Sequence, residues 1–148
     1  MSHRKRKVLF LCTGNSCRSQ MAEGWAKALL PDQLEAYSAG IEPHGMNPHA
    51  VAVMAEAGVD LSAQYSKTVD ELADIQWDCV VTVCGHADRH CPAFRQGTPV
   101  LHAPFDDPPK LAATAGSPAE GLQHYRRVRD EIRQLVLRLP ELLKQEKK

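Results

Sequence analysis

A cysteine followed after five residues by an arginine, Cys12 and Arg18, is where this sequence concentrates reactive chemistry. The intervening Thr13, Gly14, Asn15, Ser16 and Cys17 are small or polar, and Ser19 follows directly. Such a loop at the start of a helix turns its backbone N–H groups toward a common centre and cradles a tetrahedral oxyanion. Gly14 permits the backbone angles that a tight loop needs. Arg18 adds a planar fork of donors matched to two oxygens of phosphate or a look-alike anion. The helix dipole and Arg18 both favour a thiolate at Cys12, which makes it a nucleophile facing the bound anion. Ser19 is placed to donate a hydrogen bond to that thiolate, and Asn15 to hold the loop in shape. Cys17, inside the loop, reads as a spectator or a backup thiol. Walker-type and dinucleotide glycine signatures are absent, so nucleotide binding has no support.

The loop requires a strand before it and a helix after it. Residues 7–11 are an apolar run of strand formers, and Met21, Ala22, Trp25, Ala28 and Leu29 recur at helical spacing until Pro31. Residues 34–39 read as a second strand. Asn47 and Pro48 start a helix with Val51, Met54 and Ala55 as its buried stripe, and Gly58 closes it. Residues 69–75 read as a short helix. Residues 78–83 form a strand that is apolar on both faces, as a central parallel strand is, and 99–102 form a weaker fourth. A capping box at 117–120 opens a long helix with Leu122, Tyr125, Val128, Ile132, Leu135, Val136 and Leu139 on one face, which Pro140 kinks or ends. Strands alternating with helices predict an α/β fold: a four-stranded parallel sheet flanked by helices on both faces, with its site at the carboxyl ends of the strands.

Two more thiols belong at that edge or near it. Cys84 ends the strongest strand, and Cys91 follows seven positions later. If residues 85–90 are helical, the two Cα atoms stand about 10 Å apart. A disulfide needs about 4.4–6.8 Å, so these cysteines pair only if the segment unwinds. Gly85 and Pro92 at its ends suit such a change. The bland alternatives are two ordinary buried cysteines, or zinc held by Cys84, His86, His90 and Cys91. Zinc fits poorly, because His90 and Cys91 are adjacent and paired ligands spaced by two to four residues are missing. No metal or cofactor is expected. Cys79, inside the strand, reads as core. Asp106 and Asp107, beyond the fourth strand, supply a carboxyl group where a general acid is needed. The remaining histidines, His44, His49, His102 and His124, read as surface or helix-face residues.

The chain has 148 residues, which predicts one domain over 1–148. Eighteen basic and 18 acidic residues leave no net charge, which argues against nucleic acid as partner. No apolar run is long enough to span a membrane, and 8–11 is too short for a signal-peptide core. Five cysteines, an odd number, fit a secreted disulfide framework badly and suit a reducing, cytoplasmic setting.

The run from Cys12 to Gly24 resembles the active-site loop of the low-molecular-weight tyrosine phosphatase superfamily, and within it the thioredoxin-coupled arsenate reductases. Further similarities lie at Tyr37-Ser38-Ala39-Gly40, Val81-Thr82-Val83-Cys84 with Cys91-Pro92, Phe105-Asp106-Asp107-Pro108, and Arg127-Val128-Arg129-Asp130-Glu131-Ile132. The resemblance covers nearly the whole chain. It implies arsenate as substrate, phosphate and sulfate as look-alike anions, and thioredoxin as reductant. It implies Cys12, Cys84 and Cys91 as three redox cysteines, Arg18 as anion ligand and Asp107 as general acid. The implied relay passes through a Cys12–Cys84 disulfide to a Cys84–Cys91 disulfide. Phosphatases of the superfamily usually continue Asp-Pro-Tyr, whereas this chain has Asp107-Pro108-Pro109 and lacks that aromatic wall. The alternative readings are a low-molecular-weight protein tyrosine phosphatase, which needs Cys12, Arg18 and Asp107 alone, and a zinc or redox sensor built on Cys84 and Cys91. Some relatives are described as binding potassium beside the loop, through positions matching Asn15, Glu23, Ser38 and an acidic residue. Lys67 stands at that fourth position, so its ammonium is expected to take the cation's place and pair with Glu23.

Overall fold

The four strand-forming runs build one sheet in a computed structural model that describes residues 5–84 and 98–146. The strands are β1 (Arg6–Cys12), β2 (Leu34–Gly40), β3 (Cys79–Thr82) and β4 (Val100–His102). All pair in parallel, in the order β2-β1-β3-β4. The helices are α1 (Arg18–Leu29), α2 (Pro48–Glu56), α3 (Pro108–Ala113) and α4 (Pro118–Glu146). Among the described residues, no helix is long and apolar enough to cross a membrane.

Register decides what reaches the carboxyl edge. Cys12 pairs opposite Gly40 on β2, and Leu11 pairs opposite Thr82 on β3. The ladder then continues beyond the strands: Val83 N–H donates to Leu11 O at 2.9 Å, Ala103 N–H to Thr82 O at 2.8 Å, and Phe105 N–H to Val83 O at 3.1 Å. Because parallel bonds are evenly spaced, each strand carries its next residue to the same edge. Cys12, Cys84 and the segment leading into Asp107 therefore emerge side by side. The β-branched and aliphatic residues of β1 and β3 are buried on both faces, as the apolar pattern of 78–83 requires.

Several local expectations are adjusted. Ala26, and not Ala28, lies on the buried face of α1. The helix expected over 69–75 is a single 3-10 turn, Val69–Leu72. At the start of α4, Ser117 Oγ accepts from Glu120 N–H at 3.1 Å. The carboxylate of Glu120 reaches one residue further back, to Gly116 N–H at 2.7 Å, so the reciprocal half of the capping box is displaced. Pro140 does not end α4, which continues to Glu146 with Leu139 and Leu143 buried. Burial of that apolar stripe outweighs the one backbone bond that proline removes.

The phase of α4 gives a direct check. Leu139 is fully buried and Leu137 is 41% exposed, two positions round the same helix. Leu139→Ala should cost about 2–5 kcal/mol in urea unfolding, whereas Leu137→Ala should stay within about 0.5 kcal/mol of the parent.

Candidate active site

The loop between β1 and α1 is held open from outside by its carbonyl groups. Thr13 O accepts from the N–H groups of Ile41 and Glu42, at 2.9 and 3.1 Å. Gly14 O accepts from His44 N–H and Ser66 Oγ, both at 2.9 Å. Asn15 O accepts from Gln20 Nε2 at 2.9 Å, and Ser16 O from Asn47 N–H at 3.0 Å. In a planar trans peptide the N–H points opposite to the C=O of the same unit, and no described peptide bond is cis. The N–H groups of Gly14, Asn15, Ser16 and Cys17 are thereby turned inward. Amides turned inward beside the N-terminus of α1 have the arrangement that an anion cradle needs. Asn15 adopts φ of +49°, a left-handed conformation that asparagine tolerates better than most residues. Gly40 is required for a different reason. A Cβ there would lie 2.8 Å from both Asn15 N and Thr13 O, inside the loop's own backbone.

Cys12 lies at the floor of this loop. Asn15 Nδ2 donates to Ser19 Oγ at 2.9 Å, which leaves the serine hydrogen free for Cys12 Sγ, 3.0 Å away. Arg18 Nη1 donates to Phe105 O at 2.9 Å, and its Nη2 stands 3.7 Å from Asp107 Oδ1. The guanidinium thus touches the segment carrying the expected general acid. Cys12, Thr13, Gly14, Ser16, Cys17, Arg18, Cys84 and Asp107 line one cavity of about 630 Å³. His44, Asn47, Pro109 and Lys110 complete its described lining. His44 is exposed, as expected of a surface residue, and lines the cavity as well, while Asn47 does so in addition to capping α2. Their place at the cavity depends on how segment 41–47 folds back onto the loop, which periodicity does not report.

The cysteines separate by environment. Cys84 is buried, and its Sγ lies 3.3 Å from Thr13 Oγ1, on the wall of the same cavity. Cys17 caps α1, and burial pushes its thiol well above the usual range, with Cys12 and Asp107 adding to the effect and Arg18 opposing it. A thiol so protected is a poor nucleophile. Cys79 is packed in β3. Cys91 lies outside the described residues, as do His86 and His90 of the zinc alternative and the segment 85–90 on whose conformation the Cys84–Cys91 pairing depends.

Behind the loop, Asn15 Oδ1 accepts from Lys67 N–H at 2.9 Å. Ser38 Oγ donates to Glu23, whose carboxylate also holds Lys27. Lys67 Nζ lies 4.0 Å from Glu23 Oε1 and donates to Tyr65 O at 3.0 Å. Burial holds the Lys67 ammonium below the ordinary lysine range, while Glu23 works in the other direction. Asn15, Glu23, Ser38 and Lys67 are thus brought together, with a side-chain cation among them.

The family model for low molecular weight phosphotyrosine protein phosphatase matches residues 7–148. An arsenate reductase of Halalkalibacterium halodurans is 52% identical over 128 residues, 86% of this chain and 90% of the relative. Among solved structures, an arsenate reductase in the oxidized state superposes with a TM-score of 0.76 at 32% identity, covering 93% of this chain and 98% of the other. An arsenate reductase in the phosphate binding state gives a TM-score of 0.72 at 30% identity, covering 95% and 98%.

With Lys67 filling the space behind the loop, exchange of sodium for potassium should leave the melting temperature unchanged. Lys67→Ala leaves the buried Glu23 carboxylate short of one cation and should lower stability by about 1–3 kcal/mol. Hydrogen exchange at the amides of residues 14–17 should quicken in this variant. Unchanged exchange and melting would show that Lys67 does not brace the loop.

Proposed function

The chain belongs to the low molecular weight phosphotyrosine protein phosphatase family, and on that premise we propose that it reduces arsenate to arsenite by a relay of Cys12, Cys84 and Cys91. Thioredoxin is the proposed reductant of the last disulfide. The observation that carries this reading is the contact of Cys84 Sγ with Thr13 Oγ1 at 3.3 Å. A phosphatase uses one thiol, yet here a second thiol stands on the wall of the oxyanion loop. Among its described lining residues the cavity has no phenylalanine, tyrosine or tryptophan to clamp an aryl ring. A small inorganic oxyanion suits it better than phosphotyrosine. The names carried by the relatives agree with this choice.

In the proposed sequence the Cys12 thiolate attacks arsenic in arsenate held by Arg18 and the inward amides. Asp107 gives a proton to the departing oxygen, which leaves as water, and a Cys12–arsenic(V) adduct remains. The Cys84 thiolate, polarised by the Thr13 hydroxyl, then attacks Cys12 Sγ. The electron pair of the sulfur–arsenic bond passes to arsenic, arsenite departs, and a Cys12–Cys84 disulfide forms. Cys91 attacks Cys84 Sγ, frees Cys12 as thiolate and leaves a Cys84–Cys91 disulfide for the dithiol of thioredoxin. Cys91 enters by its spacing from Cys84 and by the family resemblance. The same proposal takes residues 1–148 as one domain working in the reducing cytoplasm, where such a dithiol is available.

The deciding measurement is arsenite counting with mass mapping of disulfides. Cys91→Ser should release about one arsenite per site and stall as a Cys12–Cys84 disulfide, a burst of the kind a covalent intermediate gives. Cys84→Ser should give no catalytic arsenite release with thioredoxin. Weak hydrolysis of a small aryl phosphate should vanish in Cys12→Ser and Arg18→Ala and persist in Cys84→Ser and Cys91→Ser. Full turnover by Cys91→Ser would overturn the relay, and loss of aryl phosphate hydrolysis in a folded Cys84→Ser would overturn the division of labour between the thiols.

A further inference from the structure

Asn47 joins three parts of the molecule. Its backbone N–H donates to Ser16 O at 3.0 Å and so fixes the peptide that turns the Cys17 amide into the cradle. Its Oδ1 caps α2, accepting from His49 N–H at 2.8 Å and Ala50 N–H at 3.2 Å. Its Nδ2 donates to the hydroxyl of Tyr125 at 3.1 Å. Tyr125 comes from α4, is 2% exposed, and packs beside the His49 ring with centroids 5.2 Å apart. Burial raises its phenol above the usual tyrosine range, so the hydroxyl remains neutral across the physiological range. The cap alone fixes one end of the Asn47 amide. The Tyr125 bond fixes the other, and with it the angle at which residue 47 meets Ser16.

We infer that Tyr125 is a positioning residue for oxyanion binding, acting through Asn47 on the Ser16–Cys17 peptide. The inference rests on the anion-loop part of the proposed reading and does not depend on Cys84 or Cys91. It separates two uses of one side chain: Asn47 Oδ1 serves the helix, and Asn47 Nδ2 ties Tyr125 to the residue whose backbone N–H holds the loop. Its consequence is an effect on anion affinity rather than on the chemical step, because among the described residues Tyr125 makes its side-chain hydrogen bond to Asn47 and not to Cys12 or Asp107.

The test uses inorganic phosphate as probe, titrated calorimetrically into the full chain and its variants. Tyr125→Phe removes one hydroxyl and keeps the ring, so it should weaken phosphate binding roughly five-fold, the effect expected from one lost buried hydrogen bond. Asn47→Ser retains a good helix cap but cannot reach Tyr125, and should weaken binding to the same extent. The double variant should be no weaker than either single one, since both remove the same bond. In arsenate reduction, Tyr125→Phe should raise KM by a similar factor and leave kcat unchanged. Phosphate binding by Tyr125→Phe equal to the parent's, or penalties that add in the double variant, would overturn the inference. If phosphate binding follows the expected pattern while arsenate is not reduced, the inference stands and the reductase reading falls.

Discussion

The active-site region depends on the planarity of four consecutive peptide bonds. The carbonyls of Thr13, Gly14, Asn15 and Ser16 are each bound from outside the loop, and planarity then leaves their partner amides only the inward direction. An isolated loop of this composition would satisfy those carbonyls with water and sample many conformations. Here the donors come from segment 41–47, from Ser66 and from Gln20, all fixed by the sheet and helices around them. The loop therefore holds this shape by itself, and the proposed anion binding does not have to order it.

The same sheet edge explains why three reactive groups meet. β1, β3 and β4 are parallel neighbours, and hydrogen bonds beyond their ends hold Val83, Ala103 and Phe105 in register. Cys12, Cys84 and Asp107 come from positions far apart in the chain, yet a parallel sheet brings their strand ends together without a dedicated device. Arg18 then bonds to Phe105 O, joining the loop to the segment of the expected general acid. Glu23, Ser38 and Lys67 fill the space behind the loop with an ion pair and a hydroxyl, so a charged side chain stands where family resemblance suggested a bound cation.

The four described cysteines are all buried, so what surrounds each sulfur sets them apart. Cys17 is adjacent to the arginine and inside the loop, yet its sulfur is enclosed and its thiol is pushed up. Cys12 has the Ser19 hydroxyl at 3.0 Å, and Cys84 has the Thr13 hydroxyl at 3.3 Å. Each of these two sulfurs thus has a hydroxyl within hydrogen-bond reach on the cavity wall. Sequence proximity to Arg18 alone would have ranked Cys17 ahead of Cys84.

What the sequence determined by itself was local or strictly periodic. The spacing of Cys12 and Arg18, the strand before them and the apolar stripe after them are contained in consecutive residues. So are the Asn47-Pro48 helix start and the β-branched run that makes β3 a central strand. Short-range steric and hydrophobic patterns fix these features wherever the chain goes. The tertiary structure decided everything that depends on a distant donor or neighbour. It placed His44 and Asn47 at the cavity, set Tyr125 beneath Asn47, closed Gly40 against the loop backbone, and carried α4 past Pro140. The first three outcomes each come from a contact between residues far apart in the chain, and at Pro140 burial against the core decides. No window of sequence contains both partners of such a contact, so its energy becomes readable only once the sheet has brought them together.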